Sequence, residues 1–286
     1  MEEKDIYTVI KPKSGWLDLP FDELFHYKDL IFLFVKRDFV SLYKQTILGP
    51  AWAVIQPFLT TVVFSLVFGE IAGLGPSGIP SFIFFLTGNI IWGYFSNCLT
   101  RTSDTFIANR AILGKVYFPR IVMPISTVLS RLIDFAVQYI FMLGFIIYYL
   151  VTDSQIHPNW FALMTPLLLL QLAMLSLGCG VIISSATTKY RDLRMLVSFG
   201  VQLWMYASPI AYDMFSMGAF SPNGKYYGIY MLNPVTPIVN VFRYAYLGIG
   251  RIDWFYYAIS WCVTIVILFV GVMLFSRVEK TFMDTV

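Results

Sequence analysis

The chain has 286 residues, of which 58% are hydrophobic, 18% aromatic and 13% charged, and its mean hydropathy is +0.70. Soluble domains cover their surface with charges on about a quarter of their residues, so a water-soluble globule is excluded and much of the exterior must face lipid. The net charge of +3 says little until the basic residues are assigned to loops.

Residues 1–21 are polar and of mixed charge, without the basic start and apolar core of a cleaved signal peptide, and are expected to form a cytosolic extension. Residues 22–45 predict an amphipathic helix lying along the membrane surface. At about 100° per residue, Ile31, Phe32, Val35, Phe39, Leu42 and Tyr43 share one arc, while Lys36, Arg37, Asp38, Ser41, Lys44 and Gln45 take the remainder. A short helix packed on the cytosolic ends of a bundle would show the same pattern. Six apolar stretches then reach the roughly 20 residues that cross a hydrocarbon core of about 30 Å. They run near 52–73, 82–100, 126–151, 160–184, 194–213 and 254–276. Pro57, Pro124, Pro166 and Pro209 sit in or beside them, which bilayer helices tolerate where neighbours satisfy the freed carbonyls.

Two connections carry structure of their own. After the second span, Ser103 is placed to cap a helix over 104–113, with Asp104 in its first turn and Gly114 and Pro119 ending it. Such a helix would display Phe106, Ile107, Ile112 and Leu113 to a groove in a soluble partner. Between the fifth and sixth spans, residues 214–253 hold two apolar runs, Tyr226 to Leu232 and a second ending at Gly248. Each is too short to span, so a re-entrant or interfacial pair of outer helices is predicted.

Of the twenty Lys and Arg residues, sixteen fall before the first span, in the second and fourth connections, or in the C-terminal tail. Only Lys225, Arg243 and Arg251 lie on the opposite side, and Arg131 sits at the edge of the third span. The positive-inside rule then puts both termini in the cytosol. The fold class is an all-α membrane protein with six transmembrane helices, an N-terminal interfacial helix and re-entrant outer helices between spans five and six.

The chemistry on offer is sparse. Two histidines, His26 and His157, lack partners for base or metal work, no close pair of acids in or beside the spans suits magnesium at a diphosphate, and no phosphate-binding loop follows Gly114-Lys115 or Gly224-Lys225. Asp134, the only acid well inside a span, lies three residues after Arg131, where a compensating pair is the plain expectation and a proton relay or phosphate contact the alternative. Cys98, Cys179 and Cys262 have no metal or disulfide spacing. Ser176, Gly180 and Ser184 form a ridge of small residues that permits close helix approach. In the first span, Trp52, Gln56, Thr60, Phe64 and Phe68 recur every four positions, and the fifth repeats the theme with Ser198, Gln202 and Tyr206, joined by Trp204 and Tyr212. Rings and amides suit the apolar faces and hydroxyl rims of sugars; ordinary packing of aromatic helices produces the same pattern.

Taken in order, Arg37-Asp38-Phe39 to Tyr43, Leu48-Gly49-Pro50-Ala51-Trp52 with Pro57, Gly88-Asn89-Ile90-Ile91-Trp92 with Tyr94-Phe95, and Asn109 to Leu113 followed by Lys115-Val116-Tyr117-Phe118-Pro119-Arg120 resemble the type-2 ABC export permeases that handle lipid-linked O-antigen, teichoic acid or capsular polysaccharide. Tyr190-Arg191-Asp192, Ser208-Pro209-Ile210 with Tyr212, and Asn233-Pro234 with Pro237 and Arg243 continue the likeness. The resemblance implies a homodimer in the bacterial inner membrane, with two copies of a soluble ATP-binding subunit that carry the ATP and magnesium. No cofactor is then expected in this chain, and no nucleic-acid partner. It also implies a channel between the two permeases lined by the first and fifth spans, outer gate helices within 214–253, and coupling to the ATPase through Phe106, Asn109, Arg110, Ile112, Leu113 and Lys115. A lipid-diphosphate headgroup would approach Lys36, Arg37 and Lys44. A drug or small-lipid exporter of similar architecture and an ion-coupled carrier are the alternatives.

Overall fold

Apolar runs of bilayer length, with no alternating ten-residue segments, dictate helices, and the computed structural model holds helices and no strand among the described residues, which are 27–44, 46–113, 118–152, 155–187 and 192–285. The side chains of Arg110, Leu113 and residues 278–285 lie outside that description, as do the extension 1–21, the first turn expected for the interfacial helix, Lys115 and Tyr190-Arg191.

Helix α1 (Lys28–Tyr43) is followed by a 3-10 turn and α2 (Trp52–Phe64), which continues as a π-helix over Ser65–Ile71. α3 (Ser81–Ser103) leads to two four-residue helices, α4 (Thr105–Ala108) and α5 (Arg110–Leu113). α6 (Val122–Val151), α7 (Thr165–Thr187, after a 3-10 turn at Trp160–Met164) and α8 (Leu193–Tyr206) come next. The shorter helices α9 (Tyr227–Met231) and α10 (Val235–Leu247) precede the long α11 (Trp254–Thr285). Among the described residues, five segments are long and apolar enough to cross a membrane: Gly49–Ile71, Ser81–Ser103, Val122–Val151, Trp160–Thr187 and Trp254–Arg277.

The fifth expected span, 194–213, is the exception. α8 stops at Tyr206 after fourteen residues, about 21 Å at 1.5 Å per residue. Pro209 has no N–H to continue the ladder and disfavours helix at Ser208 before it. The carbonyls released there are taken up by side chains: Asn233 Nδ2 donates to Ala207 O at 3.0 Å, and the Arg243 guanidinium donates to Pro209 O and, at 3.1 Å, to Ile210 O.

α3 is the centre of the bundle. Sixteen of its 23 residues are buried, because α2, α6, α7, α8 and α10 all pack on it. Lipid supplies no hydrophobic drive between helices, so contact rests on close fit. Gly180 on α7 shows how close: a Cβ there would stand 2.6 Å from Thr102 Cβ on α3. Ser176 and Ser184 on the same ridge are fully buried. On its other side α7 meets α11, where a Cβ on Gly271 would stand 2.6 Å from Gly178 O. α10 is enclosed by protein, with twelve of its thirteen residues buried. It ends at Gly248, whose φ of +72° suits glycine.

A second, smaller core lies at one end of the bundle, the end expected to face the cytosol, where Phe34 of α1, Phe106 of α4, Phe118, Val122 of α6, Val181 of α7 and Phe275 of α11 come together. It draws α1 against α6. Of the two expectations for this helix, packing on the bundle accounts for one face, with Phe34 buried; the opposite face, with Phe32 71% and Leu33 58% exposed, is free to meet lipid.

Candidate functional site

The ridge expected on the first span divides. Trp52, Gln56 and Thr60 are exposed, as are Leu59 and Val63 beside Thr60. Phe64 and Phe68 turn into the bundle and pack on the main core, Phe64 at 5.1 Å from Phe68 and 6.3 Å from Phe85. Each four-residue step advances about 40° around a helix of 3.6 residues per turn, so the ridge has swung roughly 120° by Phe64 and leaves the open face. Phe64 and Phe68 are therefore packing residues within this chain, not part of the open face. At the opposite edge, Asn89 on α3 donates to Thr61 at 3.0 Å and fixes the rotation of α2.

α8 presents a comparable open face, with Gln202 and Tyr206 exposed alongside Ser198 and Phe199. Trp204 faces inward. Its ring meets Phe95 at 5.1 Å and Trp92 at 6.5 Å, and its Nε1–H donates to Asn233 Oδ1 at 3.0 Å. Tyr212 lies beyond the helix end, where its hydroxyl donates to Tyr206 O at 3.1 Å and accepts from Tyr230. Around this point a groove of about 600 Å³ opens among Trp204, Ala207, Phe220, Tyr226, Tyr230 and Asn233. Phe220, Tyr226 and Tyr230 were not singled out from sequence. The i, i+4 spacing of Tyr226 and Tyr230 was the available signal, but only the fold brings it to the end of α8.

Arg243, within α10, is buried with no carboxylate in ion-pairing distance among the described residues. Its guanidinium lies 3.7 Å over the Phe84 ring and grips the two carbonyls beyond α8. Gly88 makes room for it, since a Cβ there would stand 2.6 Å from Arg243 Nη2. Cation–π contact and two carbonyl acceptors replace the hydration that burial removes.

The segment after α3 differs from the single helix expected over 104–113. Ser103 ends α3 and turns its hydroxyl back to Thr100 O at 2.7 Å, so it caps nothing ahead of it. The segment breaks at Asn109, whose Nδ2 donates to Thr105 O at 3.0 Å. Phe106 is not displayed: it is 1% exposed and stacks on Phe275 with centroids 4.7 Å apart. Ile112 is half-buried against the same cluster. Three further contacts tie the segment to the bundle. Thr187 Oγ1 donates to Ser103 O at 3.0 Å, Arg194 Nε to Asp104 Oδ1 at 2.7 Å, and Arg37 Nη2 to Asn109 Oδ1 at 3.2 Å.

Arg37 is thus already engaged. It also grips Asp38 Oδ1 through Nε at 2.9 Å and Nη2 at 2.7 Å, and lies 4.7 Å over the Phe34 ring. Lys36 on α1 and Lys44 just after it are exposed and form no ion pair among the described residues. Deeper in, Arg131 Nη1 and Asp134 Oδ2 pair at 2.7 Å, and the Tyr43 hydroxyl donates to Asp134 Oδ1. Burial, and then the hydrogen bond to this carboxylate, push the Tyr43 phenol up, so it stays a donor. The end of α1 is thereby fastened to α6.

The family described as ABC-2 type transporter matches residues 29–247. Two O-antigen export system permease proteins RfbA of Klebsiella pneumoniae are 27% and 25% identical to the chain over 259 residues, 90% of this chain and 94% of each relative. A protein of the same name from Myxococcus xanthus is 29% identical over 193 residues, 67% of this chain and 71% of that one.

Proposed function

The chain belongs to the ABC-2 type transporter family, and from that premise we propose that it is the conduit-forming membrane subunit of an ATP-driven exporter. Its substrate is an undecaprenyl-diphosphate-linked polysaccharide, moved out of the cytoplasm across the bacterial inner membrane. The observation that carries this reading is the likeness to O-antigen export permeases along 90% of the chain. The open faces of α2 and α8 support it, because Trp52, Gln56, Thr60, Gln202 and Tyr206 offer ring faces and hydrogen-bonding groups with no fixed charge. Sugar rings meet such surfaces through many weak contacts, and weak contacts let a polymer slide.

Two copies would set these faces around one conduit, with α8 and the turn after it making the fifth crossing and α9 and α10 forming the outer gate. Lys36 on α1 and Lys44 just after it meet the diphosphate at the cytosolic leaflet as charge-assisted donors, while Arg37 holds α1 to the coupling segment. A separate ATP-binding subunit docks at 104–113, with Asn109, Arg110, Ile112, Leu113 and Lys115 at the contact. Phe106 serves there as the anchor beneath the docking surface. ATP and magnesium belong to that subunit, and this chain hydrolyses nothing.

The test is co-purification followed by reconstitution. A soluble ATPase from the same organism is expected to travel with the detergent-solubilised permease, and vesicles holding both are expected to move lipid-linked glycan only with ATP. Movement by the permease alone, or an assembled pair that exports drugs or short lipids and not the glycan, would overturn the assignment.

A further inference from the structure

α8 is held at its ends and hardly at its sides. Of its fourteen residues only Val201 is buried, and only a narrow face, with Val197 and Trp204, rests on the main core. Met195, Leu196, Phe199 and Leu203 are all more than half exposed. The cytosolic end is different: Arg194 is pinned to Asp104, the residue that joins α3 to α4. So is the outer end, where Trp204 donates to Asn233 Oδ1 and Asn233 Nδ2 donates to Ser208 Oγ at 2.9 Å and to Ala207 O. Arg243 holds the two carbonyls just beyond. Asn233 and Arg243 lie before and within α10.

A helix is stiff along its hydrogen-bonded axis, so one tied at both ends and loose along its flanks passes displacement from end to end. The geometry points to α8 as a push-rod that carries movement of the coupling segment to the outer helices. Asp104 and Arg194 are the positioning residues that hand the movement over. The ion pair is partly exposed, with side-chain exposures of 45% for Arg194 and 27% for Asp104, and such pairs add little to stability. What it contributes is a fixed link, since the coupling segment moves only together with the end of α8. At the far end the moving parts are the walls of the groove between Trp204 and Tyr230. This inference rests on the docking role proposed for 104–113.

The assembled exporter, permease with its ATP-binding subunit, is the test object, carrying Asp104→Arg, Arg194→Asp or both. Four quantities are read: complex assembled, basal ATP hydrolysis, glycan exported, and labelling of an added Ile229→Cys by a membrane-impermeant maleimide with and without ATP. Labelling is counted above that of the chain without the added cysteine; Ile229 lines the groove and is 72% exposed. Arg194→Asp, which lies outside the docking segment, is expected to keep assembly and hydrolysis, to lower export roughly tenfold, and to abolish the ATP dependence of labelling. The swap should restore both. If a reversal does not assemble, Arg194→Gln carries the same comparison. Wild-type export in the single variants, a swap that restores nothing, or labelling indifferent to ATP in the unmodified exporter overturns the push-rod. A wild-type chain with no ATPase partner, or no ATP-driven glycan movement, counts instead against the functional reading beneath it.

Discussion

Asp134 is a carboxylate inside an apolar helix, and its cost is met by two partners drawn from different parts of the chain: Arg131, one turn earlier, and Tyr43, ninety-one positions away. The first was readable from the i, i+3 spacing. The second was not, because Tyr43 lay on what the periodicity marked as an apolar arc, and only packing of α1 on α6 aims its hydroxyl inward. Arg131→Met is expected to leave a buried, half-compensated carboxylate and cost about 3–5 kcal/mol, seen as a lower thermal midpoint in detergent. Tyr43→Phe should cost less, about 1.5–3 kcal/mol, and should speed amide exchange specifically in 28–43. Trp52 and Phe64 make the contrasting pair. Trp52 is 49% exposed, so Trp52→Ala should change stability by under about 0.5 kcal/mol yet impair export. Phe64 packs on Phe85, so Phe64→Ala should lose about 1–3 kcal/mol of packing; thermal midpoints and export rates of the two variants decide which ring belongs to the conduit.

Helix ends mark where sequence patterning stopped being informative. The long helices were legible because apolar runs of bilayer length admit no other solution: α3, α6, α7 and α11 each contain the span expected, or all but a few residues of it, and extend past it at one or both ends. α8 was overextended because hydropathy continues through Ile210 and Tyr212, whereas the chain obeys Pro209 and the acceptors needed beyond it. Those acceptors are served by Asn233 and Arg243, which no local pattern links to residue 209. The segment 104–113 departs from its expectation for a related reason. Ser103 has the right chemistry for a cap, but Thr100 O captures it first, and Asn109 spends its amide on Thr105 O. Replacing Arg243 should therefore act on α8 rather than on α10 alone. Arg243→Met would leave the carbonyls of Pro209 and Ile210 without that donor, at about 2–4 kcal/mol. Limited proteolysis from the outer side should then cut within 207–213. Arg243→Lys should rescue only in part, since an ammonium cannot spread over Phe84 while reaching both carbonyls.

For the molecule as a whole, the decisive quantity is which exposed apolar surface meets lipid and which borders the conduit proposed between two copies. α6 and α11 expose the aliphatic side chains of Ile140, Ile147, Ile265 and Val266, as expected of a surface solvated by acyl chains. α2 and α8 instead mix Trp52, Gln56, Thr60, Gln202 and Tyr206 with their exposed aliphatics, and amides left in hydrocarbon would each cost several kcal/mol, on the order of 2–7. That cost disappears if the two faces border a wet conduit between copies. Single cysteines separate the cases. At Ile140 and Ile265 they should react with a lipid-soluble photolabel and remain inert to a small water-soluble thiol reagent. At Gln56 and Gln202 the pattern should invert, and Leu59→Cys or Leu203→Cys should yield a disulfide-linked dimer under mild oxidation in native membranes. Photolabelling of α8 as strong as that of α11, with no cross-link from either helix, would mean that these faces look into the bilayer and that any conduit runs elsewhere in the assembly.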